Sequence, residues 1–186
     1  MPRKSTIFSH TSSSAETKAL GTRIARGLES KRTGAIILLL SGELGSGKTT
    51  FTQGFARGLG IKKRITSPTF ILIQRHGLHT RHFTPLDSKS YRFKTKGNTL
   101  SPLARDSTTR DRNLTGFRNL FHIDCYRIKK AKEFLAIGLR EILADPKNIV
   151  LIEWPEKIKA ILPKGAMKIS FAHSKRQNER IINIYS

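Results

Sequence analysis

The stretch AIILLLSGELGSGKTT, residues 35–50, joins an apolar run to a glycine-rich loop. The continuous apolar run predicts a strand that is buried on both faces of a parallel sheet. From Gly42 to Thr49 the chain then matches G-x-x-x-x-G-K-T, a pattern whose glycines let backbone N–H groups curl around phosphate oxygens. A helix expected to begin at Lys48 adds the positive end of its dipole at the same place. Strand, loop and helix in this order predict that the chain binds a nucleoside triphosphate.

Two side chains of this loop carry specific roles in the prediction. Lys48 is expected to reach the β- and γ-phosphates, and the Thr49 hydroxyl is expected to ligate Mg²⁺. The loop therefore predicts a nucleoside triphosphate and Mg²⁺ as ligands, without indicating what their chemistry serves. The residues expected to contact the nucleotide from this loop are Glu43, Leu44, Gly45, Ser46, Gly47, Lys48, Thr49 and Thr50.

Strand and helix patterns alternate along most of the chain, which is typical of an α/β fold. The 186 residues suit a single domain, residues 1–186. The expected fold is a three-layer arrangement like that of P-loop nucleoside triphosphatases, with a mixed, mostly parallel sheet and antiparallel strands at the C-terminal end. Helices are predicted in residues 11–30, 48–60, 131–143 and 157–162, and strands in 6–10, 35–42, 69–76, 120–128, 148–156, 166–173 and 179–186.

One segment, about residues 77–118, has no sustained hydrophobic period and is rich in Ser, Thr, Arg and Lys. Structureless loops of this length inside a compact domain are uncommon, and those that occur are functional or disordered. We interpret the segment as a basic, disordered insertion between two strands. A functional lid or an RNA-contacting arm is the alternative interpretation.

The overall composition restricts the environment and the partners. Thirty-five Lys and Arg residues against 13 acids give a formal charge of +22, which attracts polyanions such as RNA, DNA and nucleotides. The single cysteine, Cys125, excludes an intramolecular disulfide and fits a reducing compartment. No apolar run approaches the roughly 18 residues of a membrane span. The basic, Ser-rich N-terminus weakly resembles a transit peptide, but we favour a first strand and a helix cap there. We therefore expect a cytoplasmic protein with no membrane association.

Two acids are candidates for the metal-linked chemistry of a phosphate loop. Glu153 ends the apolar run IVLIE, and Asp124 lies within FHIDCYR. Carboxylates at the C-terminal ends of strands lie on the rim of the sheet where ligands of open α/β sheets bind. His122, Asp124 and Tyr126 alternate in sequence, so a strand there directs all three to one face and Cys125 to the core. A hydrogen-bonded structural cluster is the alternative interpretation of this trio.

The segment ITSPTF, residues 65–70, follows the expected helix of the phosphate loop. Its proline, Pro68, disfavours helical backbone at Ser67 and keeps the segment extended. A Ser or Thr at such a place can sense the γ-phosphate in nucleotide switches. On the sequence alone, a plain turn into a strand is the favoured interpretation.

These motifs in this order, from GELGSGKTTFTQGFARGLG through ITSPTF and FHIDCYRI to EFLAIGLREIL and IVLIEWPEKI, resemble the bacterial TsaE/YjeE family. The resemblance covers about residues 7–186 apart from the insertion. It implies a small P-loop ATP hydrolase of tRNA threonylcarbamoyladenosine (t6A) synthesis. Such a protein docks on the TsaB–TsaD pair, in which TsaD is the transferase, and its ATP hydrolysis supports repeated turnover. Contact with tRNA, directly or through that complex, is also expected.

The resemblance also implies roles for individual residues. Lys48 would hold phosphate, Thr49 and Glu153 would hold Mg²⁺, and Asp124 would serve hydrolysis beside the γ-phosphate. Trp154 would lie next to the nucleotide. A switch segment would consist of Thr66, Ser67 and Thr69.

The chain departs from the family pattern in the basic insertion, in the basic residues that follow Tyr126, and in the final hairpin. That hairpin lacks a clear Gly-Arg turn, so that Arg176 or Arg180 is expected to stand in. Two other functions stay open at this point. One is a small-molecule or nucleoside kinase that uses Arg105, Arg110 and Arg112 as a lid, and the other is a basic tRNA-binding protein.

Overall fold

The computed structural model describes residues 6–29, 33–67, 73–78, 116–128, 134, 138–176 and 178–185. In these parts the chain forms three α-helices, one 3₁₀ helix and a sheet of seven strands. The helices are α1 (Ser14–Arg26), α2 (Lys48–Gly58), α3 (Leu139–Ala144) and the 3₁₀ helix (Pro155–Ile161). The strands are β1 (Thr6–Thr11), β2 (Ile36–Gly42), β3 (Ile73–Gly77), β4 (Asn119–Asp124), β5 (Asn148–Glu153), β6 (Met167–His173) and β7 (Arg180–Tyr185).

The strands lie in the order β1-β7-β6-β2-β5-β4-β3. The central neighbours β6, β2, β5 and β4 pair in parallel, whereas β1–β7, β6–β7 and β3–β4 pair antiparallel. Hence β7 and β3 run against the other five strands. This arrangement confirms the mixed, mostly parallel sheet with antiparallel strands at its C-terminal end, and it adds an antiparallel strand at the opposite edge.

Each face of the sheet carries its own apolar core, which makes the fold three-layered. On one face, Leu38, Leu40 and Leu151 pack with residues of α1 and α2. On the other face, Leu39 and Ile152 pack with residues of α3, the 3₁₀ helix and the loops around them. Strand β2 is buried on both faces, as the apolar run predicts.

Helix α1 begins as its sequence predicts. Ser13 is the N-cap, and its hydroxyl accepts a hydrogen bond from the Glu16 backbone N–H at 3.2 Å. The Glu16 carboxylate in turn accepts from the Ser12 backbone N–H at 2.8 Å. These bonds satisfy donors that a helix start would otherwise leave open. Leu20, Ile24 and Leu28, spaced four residues apart in the sequence, are buried.

Helices α1 and α2 touch backbone to backbone. A Cβ atom built on Gly54 of α2 would lie 2.0 Å from the Lys18 carbonyl oxygen of α1, so no side chain fits there. The Thr22 hydroxyl of α1 also donates a hydrogen bond to the Gly54 carbonyl at 2.8 Å. Since α2 begins at Lys48, this close packing holds the helix of the phosphate loop firmly against the sheet.

The helix predicted over residues 131–143 does not run through as one element. Gly138 has φ 80° and ψ 26°, a left-handed conformation that an α-helix does not contain, and α3 begins directly after it. Phe134 is fully buried and helical, in the core on the α3 face. The glycine therefore interrupts the helix predicted over this range, of which residues 131–133 and 135–137 lie outside the described residues.

The predicted basic insertion lies mostly outside the described residues. Its first residue, Gly77, ends β3, and near its other end Phe117 is buried in the core under α1 and α2. The described residues thus reach into both ends of the predicted segment, and residues 79–115 lie outside them, so that the prediction of disorder stays a prediction. Within the described parts of the chain, no helix has the length and apolar character needed to cross a bilayer.

Candidate functional site

The glycine-rich loop joins β2 to α2 and passes beside β6. Gly42, at the end of β2, has φ 140°, and a Cβ atom there would lie 2.3 Å from the Phe171 carbonyl oxygen. Only glycine allows this close approach of two backbones. Gly47 is the N-cap of α2 and has φ 103°, so that the helix starts at Lys48 as predicted.

Lys48 is buried beneath the loop, with 5% of its surface exposed. Its Nζ atom donates hydrogen bonds to the carbonyl oxygens of Gly42 and Glu43, at 2.7 and 2.8 Å. The same atom lies 4.1 Å from the centre of the Trp154 ring, within cation–π range. Burial lowers the pKa of Lys48, while the nearby Glu153, Glu156 and Asp124 carboxylates oppose that shift. The ammonium group is therefore held at the inner side of the loop.

Glu153 ends β5 directly beside the start of α2. Its carboxylate is buried, and the Thr49 hydroxyl lies 3.4 Å from each of its two oxygens. The Nε2 atom of His122, on β4, lies 2.9 Å from Glu153 Oε1. The structure thus brings together the two residues expected to hold Mg²⁺ and adds a histidine to them.

Asp124 ends β4 and is the register partner of Glu153. The Ser67 hydroxyl donates a hydrogen bond to Asp124 Oδ2, and the Tyr126 backbone N–H donates to Oδ1 at 2.9 Å. Both carboxylates therefore lie at the carboxyl-end rim of parallel strands, where the sequence placed them. Of the predicted switch segment, Ser67 touches this rim, Thr66 is exposed and Thr69 lies outside the described residues.

The expectation that Tyr126 shares a face with His122 and Asp124 is wrong. Strand β4 ends at Asp124, so the alternation of side chains does not extend to Tyr126. The Tyr126 ring lies instead 5.1 Å from the Trp154 ring, centre to centre. Cys125 is fully buried in the core on the α3 face, as predicted, and burial raises its thiol pKa to about 12.

The C-terminal hairpin supplies two side chains to the loop. Arg180 Nη2 donates to the Gly45 carbonyl oxygen at 3.2 Å, and His173 Nε2 lies 3.2 Å from the Leu44 carbonyl oxygen. Arg176 is largely exposed and pairs with Glu179 at 3.5 Å. Of the two arginines left open by the sequence, Arg180 is the one at the loop. His173 was missed, because its place depends on the parallel pairing of β6 with β2.

The donors and acceptors of this site fit a polyphosphate with a divalent cation. The Ser46 hydroxyl is buried without a hydrogen-bond partner among the described residues, in the loop that would surround phosphate oxygens. The described residues contain no group of three or more His, Cys, Asp or Glu side chains arranged to hold a metal ion. Mg²⁺ is commonly bound by one or two protein ligands, with phosphate oxygens and water completing the shell. Thr49 and Glu153 match that kind of site.

Comparison with known families gives one clear match. The model of the TsaE family, described as threonylcarbamoyl adenosine biosynthesis protein TsaE, matches residues 11–109 and 106–182. These two segments contain the phosphate loop and both rim carboxylates.

Individual relatives agree with the family model. The chain is 32% identical over 131 residues to the tRNA threonylcarbamoyladenosine biosynthesis protein TsaE of Borreliella burgdorferi. The aligned residues cover 70% of this chain and 68% of that relative. It is 30% identical over 159 residues to the protein of the same name from Treponema pallidum, with 85% of each chain covered. Among solved structures, YdiB of Bacillus subtilis shares the fold with a TM-score of 0.59 and 24% identity, over 100% of this chain and 88% of that one.

Proposed function

Because this chain belongs to the TsaE family, we propose that it is a Mg²⁺-dependent ATPase that supports t6A modification of tRNA at position 37. Its relatives carry that biosynthetic pathway in their names. In the proposed role it binds the TsaB–TsaD threonylcarbamoyl transferase complex in the cytoplasm. ATP hydrolysis by this chain then allows the transferase to act repeatedly.

One observation carries the ATPase part of the proposal. The Thr49 hydroxyl and the Glu153 carboxylate approach within 3.4 Å, although they are separated by 104 positions in the sequence. They meet at the N-terminus of α2, one residue from the lysine of the phosphate loop. A hydroxyl and a carboxylate in this arrangement are the protein ligands that Mg²⁺ takes in P-loop nucleoside triphosphatases.

In the proposed reaction, each group of the site has its own role. Backbone N–H groups of the loop and the Lys48 ammonium bind the phosphates of ATP, and Thr49 and Glu153 hold the metal. Mg²⁺, when bound, neutralises charge that develops on the phosphate oxygens. Asp124 accepts a hydrogen bond from the attacking water and so orients it. Trp154 packs beside the nucleotide, and Ser67 links the segment before β3 to Asp124.

The lysine of the loop provides the first test. Lys48→Ala removes the buried ammonium that binds phosphate, so nucleotide affinity should fall at least about 100-fold. The measurement is calorimetric titration with ATP in the presence of Mg²⁺. Lys62→Ala, which removes an exposed lysine elsewhere, is the matched control and should bind like the unchanged protein. Equal affinities for all three proteins would remove Lys48 from the binding site, and absence of binding by the unchanged protein would remove nucleotide binding from the proposal.

The partner part of the proposal is tested by a pull-down. The full chain should retain TsaB and TsaD from the same cell, and retention should differ between samples with and without ATP. A chain that hydrolyses ATP but retains neither protein would contradict the role in t6A synthesis and leave the ATPase standing.

Direct tRNA binding is a second candidate, favoured by the formal charge of +22. Binding through Lys and Arg contacts to phosphates weakens steeply as salt rises, because binding releases counterions from the RNA. Titration of labelled tRNA at increasing salt therefore decides this point. Absence of binding would exclude a direct contact, and binding that is insensitive to salt would exclude one made through Lys and Arg contacts to phosphates.

A further inference from the structure

His122 is the residue of the rim that the proposed function leaves without a role. It lies on β4, and its side chain is completely buried, on the same face as Asp124 and Glu153. Its Nε2 atom lies 2.9 Å from Glu153 Oε1. A carboxylate can only accept, so the hydrogen of this bond belongs to Nε2. The bond joins two adjacent parallel strands at the edge where the phosphate loop lies.

The two contacts of the Glu153 carboxylate differ in what they determine. The Thr49 hydroxyl is 3.4 Å from both oxygens, so this long contact does not select an orientation of the carboxylate. His122 bonds to Oε1 at 2.9 Å and therefore fixes which oxygen points into the sheet. Oε2 lies at the same 3.4 Å from the Thr49 hydroxyl as Oε1, but it has no shorter hydrogen bond among the described residues, so its lone pairs stay available to a cation. This is the oxygen that a cation beside Thr49 would meet.

The other ring nitrogen supports this interpretation. His122 Nδ1 is buried and has no hydrogen-bond partner among the described residues. A buried polar atom without a partner costs free energy, so a histidine chosen only for packing would be a poor choice. Its one short polar bond is the one to Glu153. Groups that hold metal-binding carboxylates in place are a recurrent feature of metal sites, and their loss weakens metal binding.

We propose that His122 is a positioning residue, which orients the Glu153 carboxylate so that Oε2 is presented beside Thr49 to the Mg²⁺ of a bound nucleotide. The proposal rests on the proposed function, since it assumes that Glu153 meets this cation. It adds a residue that touches neither nucleotide nor metal and acts through Glu153 alone.

The test measures how Mg²⁺ strengthens nucleotide binding rather than how fast ATP is hydrolysed. Affinity for a fluorescent ADP analogue is measured in EDTA and at increasing Mg²⁺. His122→Ala and His122→Asn should raise the half-saturating Mg²⁺ concentration about 10- to 100-fold and leave the affinity in EDTA unchanged. His122→Gln should stay within about threefold of the unchanged protein, because its amide N–H reaches about as far as Nε2.

The Gln and Asn variants keep the result decisive if His122→Ala does not fold. Both substitutions place an amide group in the space of the imidazole ring, but the Asn side chain is one methylene shorter and its amide cannot reach Glu153. If the His122→Gln and His122→Asn variants have the same half-saturating Mg²⁺ concentration, the bond to Glu153 has no role and the inference is wrong. Thermal unfolding of each variant confirms that the comparison is made on folded protein.

A double-mutant cycle adds an independent criterion. If His122 acts through Glu153, the Glu153→Gln variant should lose the Mg²⁺ response, and adding His122→Ala should cost nothing more. Independent, additive losses would overturn the inference. The proposed function can fail independently of this inference. If the unchanged protein binds no nucleotide, either in EDTA or with Mg²⁺, the proposed function is refuted before any His122 variant is compared.

Discussion

Strands β4 and β5 carry buried polar side chains at both of their ends, and the two ends are hydrogen-bonded differently. At the amino end, Asn119 Nδ2 donates to Asn148 Oδ1 at 2.8 Å, and Arg75 Nε donates to Asn119 Oδ1 at 2.9 Å. Asn148 Nδ2 donates to the Ile142 carbonyl oxygen at 3.0 Å. At the carboxyl end, the corresponding register pair is Asp124 and Glu153.

The carboxyl end pairs two acids where the amino end pairs two amides, and some of its polar atoms lack short hydrogen bonds. The contact between Glu153 and Thr49 is long, and Ser46 and His122 each keep a buried polar atom without a partner among the described residues. Short, complete hydrogen bonds stabilise a fold, whereas a buried carboxylate oxygen or hydroxyl that lacks a short bond is costly unless something binds it. The same pair of strands thus has one end that suits a structural role and one that suits the proposed binding role.

The largest effect that separates the two ends is expected at Asp124. Asp124→Asn keeps an oxygen to accept from the Tyr126 backbone N–H but removes the charge, so ATP hydrolysis should fall by about 100-fold or more. The free energy of unfolding should change by less than about 1 kcal/mol, because the exchange is isosteric. Steady-state hydrolysis and urea unfolding measure the two effects. Glu141→Gln, at an exposed acid away from the rim, is the control, and equal hydrolysis by both variants would contradict the assignment.

The amino end should give the reverse result. Asn148→Ala leaves Asn119 Nδ2 and the Ile142 carbonyl without their partner, which should lower the free energy of unfolding by about 1–3 kcal/mol. The rate of hydrolysis at saturating ATP and Mg²⁺ should be unchanged while the variant is folded. Lys147→Ala, at the exposed neighbour, should alter neither quantity. An Asn148→Ala variant that is as stable as the unchanged protein but hydrolyses ATP more slowly would mean that the amino end also serves hydrolysis.

The smallest effect is expected one residue beyond Asp124, on the opposite face of the sheet. Burial raises the pKa of Cys125 to about 12, so the thiol stays protonated in the folded chain. In the unfolded chain the same thiol has its ordinary pKa near 9 and ionises as the pH rises above that value. Stability from this group is complete below that ordinary value and is lost as pH rises above it. Relative to Cys125→Ala, the chain should lose about 1 kcal/mol between about pH 8 and about pH 9.5. Identical pH profiles in urea unfolding would contradict burial of the thiol.

The phosphate loop could be predicted from sequence because its strand, glycines, lysine and threonine form one contiguous stretch. The rim acids could be placed as well, since an apolar run that stops at a carboxylate fixes the end of a buried strand. The cap of α1 was readable for the same reason, as Ser13 and Glu16 are close neighbours in the chain.

Features that depend on tertiary structure could not be predicted in this way. The bond between His122 and Glu153 joins residues 31 positions apart and requires β4 and β5 to be adjacent and in register. The approach of His173 and Arg180 to the loop requires β6 to lie beside β2. At Gly138, a local preference for left-handed backbone overrode an apolar period that indicated one continuous helix.

Trp154 gives the protein a fluorescence property in addition to its structural contacts. It is the single tryptophan of the chain, its backbone is left-handed at φ 57°, and its ring faces the Lys48 ammonium at 4.1 Å. All indole emission of the protein therefore comes from one ring, which lies within cation–π range of the lysine proposed to bind phosphate. Any movement of that ammonium changes the field across the ring, so the unlabelled protein contains its own optical sensor of the phosphate loop.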